Sequence, residues 1–260
     1  MKRLVVNSDD FGLCHSVNLG ILKGFTEGIL TQTTVMVPCP WFEEAAYMAK
    51  HYRIPCGVHL TAGCDWDIYR WGPVTQAKSL VKDDGCFYHT LEEVKKHCDP
   101  KDVEAEYCAQ IELALSRGIK LTHIDNHMWT YDEALIAKLC RKYKLPTRLH
   151  LSGKYADVMF PFDTWISPGL SQNLPIKEKK AWFTGILKNL KDGYHFVCGH
   201  MGVPGPELES ICSRDYPVRD WALERRVSDL ELVCSPEIKE LCRELKIELI
   251  SLNEMKRPRK

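Results

Sequence analysis

The chain has 260 residues, 45% of them hydrophobic and 27% charged, with Lys+Arg and Asp+Glu both totalling 35. Balanced charge sets up no long-range field for nucleic acid or an anionic membrane surface, and no apolar stretch approaches the ~18 residues of a membrane span. What remains is an enzyme-sized α/β protein, expected in the cytoplasm because Met1-Lys2-Arg3 runs straight into an apolar run too short for a secretion signal.

From the N-terminus, Leu4-Val5-Val6 predicts a buried strand over Leu4–Ser8, and the stretch Asn7-Ser8-Asp9-Asp10-Phe11-Gly12 ends it on two adjacent carboxylates. Like charges repel there, so at least one needs compensation. A nearby cation would supply it, and so would turn chemistry in which one Asp caps the next helix and the other is solvated. Hydrophobic period and breakers then predict a helix over Ser16–Thr26, a strand over Gln32–Val37, a helix over Trp41–Lys50 and a strand over Cys56–Leu60. A long, weakly periodic segment over 64–99 follows. A helix over Pro100–Arg117, a strand over Leu121–Asp125, a helix over Asp132–Lys142 and a strand over Thr147–Leu151 come next, before a second irregular segment over 152–176. The chain finishes with a helix over Ile176–Lys191, a strand over His195–Cys198, helices over Arg219–Leu230 and Pro236–Leu245, and a strand over Glu248–Leu252.

About seven strand–helix alternations predict an irregular (β/α) barrel, TIM-barrel-like, as the most economical closure. An open doubly wound sheet is the alternative, but no Gly-x-Gly-x-x-Gly follows the first strand. Long loops such as 64–99 and 152–176 are often substrate-covering insertions. Twelve cysteines include no Cys-x-x-Cys pair and sit mostly in apolar runs, so they are expected to be reduced core thiols.

Asp9 and Asp10 end the first strand, His59 the third, and Thr122-His123-Ile124-Asp125-Asn126-His127 the fourth, while His200 follows the sixth. In a parallel barrel these positions share the carboxyl-terminal rim, where such folds assemble chemistry. Period-two alternation puts His123, Asp125 and His127 on one face, which reads as a ligand with an orienting carboxylate. One carboxylate and two imidazoles on that rim would form a three-ligand divalent site with open positions, catalytic in kind because structural zinc is closed by four protein ligands, the alternative being a polar cluster held by internal hydrogen bonds.

These motifs, with Asn18-x-Gly20, Thr31-Gln32-Thr33-Thr34-Val35-Met36-Val37 and Gly57-Val58-His59-Leu60-Thr61, resemble the YdjC-like carbohydrate deacetylases, in order and over most of the chain. The resemblance implies one such domain over residues 1–260, a barrel-like fold and hydrolysis of an N-acetyl group from an amino sugar. It further implies a divalent metal ion, Mg2+ or Zn2+, held by Asp10, His59 and His127, and Asp9 as general base. In this chain Met128-Trp129 follow His127, where further histidines are common in the family, and the late motif is Cys198-Gly199-His200-Met201-Gly202 rather than Cys-His-Pro-Gly. His200 is then the candidate for the late catalytic His, delivering a proton to the departing nitrogen. His123, Asp125, Arg148 and Trp129 are candidates for supporting the ligands or touching substrate. Trp66, Trp71 and Trp165 also lie in or beside the rim loops, and Arg70 could anchor an anion or pair with acidic neighbours. The expected partner is a small carbohydrate, not nucleic acid or membrane, and self-association into a homo-oligomer stays open. Two rival readings are a metallohydrolase of another amide or ester and a non-catalytic sugar-binding protein.

Overall fold

The computed structural model describes residues 1–128, 132–167, 169–170, 174–211 and 221–255. Its centre is a parallel sheet of seven strands: β1 (Lys2–Phe11), β2 (Gln32–Val35), β3 (Cys56–Leu60), β4 (Leu121–Asn126), β5 (Thr164–Trp165), β6 (Gly193–Gly199) and β7 (Glu248–Leu249). The order is β4-β3-β2-β1-β6-β5, with β7 beside the start of β1. Helices α1 (His15–Glu27), α2 (Phe42–His51), α3 (Leu91–His97), α4 (Pro100–Ser116), α5 (Glu133–Tyr143), α6 (Ile176–Asn189), α7 (Pro206–Ser210), α8 (Arg226–Cys234) and α9 (Pro236–Glu244) connect them.

Beyond β4 the pairing continues through single parallel bridges, Ile124 to Thr147 and Thr147 to Met159. A few residues later the same segment reaches the other edge, where Thr164 and Trp165 pair with His195 and Phe196 of β6. The parallel sheet thus curls round into an irregular half-barrel, in keeping with the barrel-like expectation.

Strand alternation sorts the side chains. Val5, Asn7 and Asp9 share one face of β1, and Leu4, Val6 and Ser8 the other. Leu4 and Val6 belong to the large core between sheet and helices, with Val17 and Ile21 of α1 and Ile111 of α4. Val5 instead packs with Phe160, Phe196, Ile250, Leu252 and Met255, so the segment after β7 plugs one end of the barrel. The plug is tied by the Leu252 N–H, which donates to Gln32 Oε1 at 2.8 Å. Burying each of these large apolar side chains contributes ~1.5–3 kcal/mol.

Three expectations change. Thr147–Leu151 is not a strand: only Thr147 bridges its neighbours, and the chain then turns, with the Leu149 N–H on Thr147 Oγ1 at 3.0 Å and Arg148 directed into the barrel. The irregular segments contain structure that short lengths conceal from periodicity, namely β5 and α3, the latter opened by a Thr90–Glu93 capping box. Helix α8 starts at Arg226 after a π-helical turn over Trp221–Arg225, while the expected start at Arg219 lies outside the described residues.

Candidate active site

In a regular strand Asp9 and Asp10 would point to opposite faces. The β1–β2 register shifts between Ser8 and Phe11, and Asp10 takes a left-handed backbone with φ 71°. This bulge lets both carboxylates reach one site, and left-handed backbone at a non-glycine residue is a strain that Asp tolerates better than most residues and that clusters at functional positions. Asn18 holds the turn from below: its Oδ1 accepts the Gly12 N–H at 2.7 Å and its Nδ2 donates to Glu44 at 2.8 Å. Gly20 lets α1 meet the segment after β6, since a Cβ there would lie 2.5 Å from Gly202 Cα.

Asp10 is buried. Its Oδ2 accepts from Arg226 Nη2 at 2.7 Å and lies 3.9 Å from His200 Nε2. Its Oδ1 is buried without a hydrogen bond, 3.5 Å from His59 Nε2 and 3.4 Å from His127 Nδ1. An oxygen and two nitrogens, each ~2.0–2.2 Å from a shared divalent ion, stand about 3.0–3.4 Å apart, so this orphaned oxygen and its two imidazoles fit a metal. The three ligand atoms form a compact group. Burial alone would raise the Asp10 pKa, but the Arg226 guanidinium and then His127 hold it well below the usual carboxylate range.

Both imidazoles are backed by carboxylates. His59 Nδ1–H donates to Asp125 at 3.0 Å across β3 and β4, and His127 Nε2–H donates to Asp65 at 3.1 Å. Asp125 therefore orients His59, on the neighbouring strand, rather than a histidine of its own strand. Burial would lower the His127 pKa, but Asp65 and Asp10 raise it to about 10.

Asp9 lies beside this group, also buried. Its Oδ1 accepts from Asn7 Nδ2, Thr34 Oγ1 and Arg148 Nη2 at 2.7, 2.8 and 2.7 Å. Its Oδ2 accepts from Arg148 Nη2 at 2.8 Å and from the Cys198 thiol at 3.0 Å. Burial would raise its pKa, yet Arg148, helped by His59 and His200, holds it far below the usual range. Arg148 also binds Asp125 through Nε at 2.6 Å. Asp9, His59 and Asp125 form a second group of metal-type ligands, and the Arg148 guanidinium already pairs with both of its carboxylates.

His200 is partly exposed, and its backbone N–H donates to Asp229 Oδ2 at 2.8 Å. Asp229 is in turn paired with Lys179 at 2.7 Å in a fully buried contact. Burial lowers the His200 pKa, with Asp10 opposing. His123 stands apart from the ligands: its Nδ1 is 2.7 Å from Thr122 Oγ1, its ring packs where a Cβ on Gly57 would sit, and burial lowers its pKa to about 3. Trp66 and Trp71 are buried packing residues, Trp165 is partly exposed, and Trp129 lies outside the described residues. Arg70 is taken up by His89, the Phe87 carbonyl and Asp84. Asp65, Arg226 and Asp229 escaped sequence reasoning, since each is recruited from a loop or helix position that carries no motif of its own, and Thr34 lies in a quoted motif that assigned it no role.

The family model described as YdjC-like protein matches residues 3–244. A carbohydrate deacetylase of Clostridium beijerinckii is 30% identical over 266 residues, covering 97% of this chain and 100% of the relative. One of Geobacillus stearothermophilus is 28% identical, covering 96% of each. The fold matches a crystal structure from Enterococcus faecalis V583, of a protein named for cellobiose-phosphate cleavage, with a TM-score of 0.77 at 24% identity over 96% of this chain and 97% of that one.

Proposed function

The chain belongs to the YdjC-like protein family, and we propose that it is a metal-dependent hydrolase that removes an acetyl group from an N-acetylated amino sugar or short oligosaccharide. The observation that carries this reading is the buried Asp10 Oδ1, which makes no hydrogen bond and faces His59 Nε2 and His127 Nδ1, with a second, differently held carboxylate alongside. The names of the two bacterial relatives supply the substrate class.

Asp10, His59 and His127 hold the ion in this reading. Two imidazoles suit Zn2+, and a carboxylate with open positions for water also accommodates Mg2+. When bound, such a cation supplies Lewis acidity toward the acyl oxygen and the attacking water. Asp9 takes the proton of that water. Its Oδ1 carries three donors and its Oδ2 two, one of them the weakly donating Cys198 thiol, so Oδ2 is the less heavily engaged oxygen. The same contacts lower its basicity, which suits it to a water whose own acidity has been raised. His200, on the rim beside Asp10, delivers a proton to the departing nitrogen. Its lowered pKa makes it the stronger acid once protonated, at the cost of a smaller protonated fraction at neutral pH.

Every cysteine among the described residues is free, which favours a reducing compartment, the cytoplasm, and no helix among them is long and apolar enough to cross a membrane. The test of the reading is acetate release from N-acetylglucosamine, its short β-linked oligomers and their phosphorylated forms, with and without Zn2+ or Mg2+. Metal-stimulated acetate release supports it. Phosphate release from generic esters without acetate would favour the other metallohydrolase, and sugar binding without turnover a binding protein.

A further inference from the structure

We propose that Asp65 selects which nitrogen of His127 faces the cation, so that the loop after β3 is a working part of the metal site and its docking is coupled to metal binding. The inference rests on the reading that Asp10, His59 and His127 hold the ion.

The two ligand imidazoles are presented differently. His59 turns Nε2 toward Asp10 and gives Nδ1–H to Asp125, which is fully buried in the sheet. His127 turns Nδ1 toward Asp10 and gives Nε2–H to Asp65, whose side chain is 23% exposed on a loop. A neutral imidazole has one N–H and one lone pair, so the carboxylate that takes the N–H decides where the lone pair points. For His59 that decision is built into the barrel. For His127 it is made by a segment that has to be brought into place.

Contacts on both sides of Asp65 bring it there. The Cys64 N–H donates to the Tyr88 carbonyl at 2.9 Å, Trp71 Nε1 donates to the Gly63 carbonyl at 3.1 Å, and the Trp71 ring lies edge-on to His127 at 6.0 Å. Tyr69 Oη donates to the Leu13 carbonyl at 2.6 Å, just past the Asp10 turn. From outside, α4 clamps the same segment. Gln110 takes both peptide groups of Thr61, accepting its N–H at 2.9 Å and donating to its carbonyl at 2.7 Å. Buried Glu106 accepts the N–H groups of Val74 and Thr75, each at 2.9 Å. If docking of this loop presents Nδ1 to the ion, metal binding must stabilise docking by the same free energy.

Zn2+ alone is the probe. Isothermal titration of wild type, Asp65→Ala, Asp65→Asn and His127→Ala is paired with hydrogen exchange at the Val74 and Thr75 amides and with imidazole nitrogen NMR of the Zn2+-loaded protein. Expected are coordination through Nδ1 of His127, affinity ~10–100-fold weaker in Asp65→Ala, and partial rescue in Asp65→Asn, whose amide oxygen still accepts the N–H. Exchange at both amides should slow on adding Zn2+ to wild type, and much less in Asp65→Ala at saturating Zn2+. Asp65→Ala within twofold of wild type, coordination through Nε2, or metal-insensitive exchange in wild type would overturn the proposal. An affinity unchanged in His127→Ala would overturn instead the ligand assignment on which it stands.

Discussion

Arg148 holds Asp9 by both carboxylate oxygens, its Nη2 lying 2.7 and 2.8 Å from them, and the same guanidinium reaches Asp125. One cation thus ties β1 to β4 inside the barrel and keeps two carboxylates ionised. Arg148→Met should leave both buried without their guanidinium countercharge, costing ~3–5 kcal/mol, and lowering Tm by on the order of 10 °C. The Asp10, His59 and His127 atoms are untouched, so Zn2+ affinity should change far less than kcat. Differential scanning calorimetry beside metal titration checks this. An unchanged Tm would mean that the pair is not buried as described.

His127 gives a pH prediction. In the metal-free protein its pKa is about 10, against 6.5 ordinarily, so between those values the folded state binds more protons than the unfolded. This contribution to stability is complete below pH 6.5 and is lost as pH rises through about 10. Chemical denaturation of metal-free wild type and His127→Gln between pH 6 and 10 should show the larger alkaline decline in wild type. Metal bound at the same nitrogen displaces its proton. Titration with Zn2+ at pH 7.5 in buffers of different ionisation enthalpy should therefore report about one proton released, and none would contradict the His127 assignment.

The proposed site has three protein ligands, whereas a structural zinc has four. Chelation should abolish activity and leave the far-ultraviolet circular dichroism unchanged, because the curled sheet is held by backbone pairing and two apolar clusters, none of it requiring the ion. Global unfolding on chelation would reassign the metal to a structural role.

Most cysteines are core residues. Cys14, Cys64 and Cys140 are buried, and burial pushes each thiol up to about 12. Among the described residues, alkylation of the native protein should therefore begin at the half-buried Cys86 and Cys108. Denatured, unreduced protein should titrate close to all twelve thiols, and a deficit of four or more would mean disulfides.

The repeating units were legible because each strand is an apolar run ended by a breaker and each long helix has a periodic face. Their common rim followed from parallel topology, which brought Asp9, Asp10, His59, His127 and His200 together on paper. Alternation alone could not show how Asp9 and Asp10 serve one site, because that depends on a bulge set by the β1–β2 register. It also assigned Asp125 to its own strand, whereas the bond crosses to His59. Asp65, Arg226 and Asp229 were invisible for a common reason: each acts on a residue far away in sequence, and nothing local marks a single Asp or Arg as destined for such a contact.

The central claim is that two adjacent carboxylates do different work, Asp10 as ligand and Asp9 as proton acceptor. The most direct measurement is Zn2+ affinity and kcat, taken together, for Asp10→Asn and Asp9→Asn, with folding verified in each. Asp10→Asn should lose affinity and activity together and regain part of the rate in excess metal. Asp9→Asn should still bind metal while kcat falls ~10²-fold or more at every metal concentration. Loss of metal in Asp9→Asn with retention in Asp10→Asn would invert the assignment. Full activity in both would reduce the pair to turn chemistry and contradict the account.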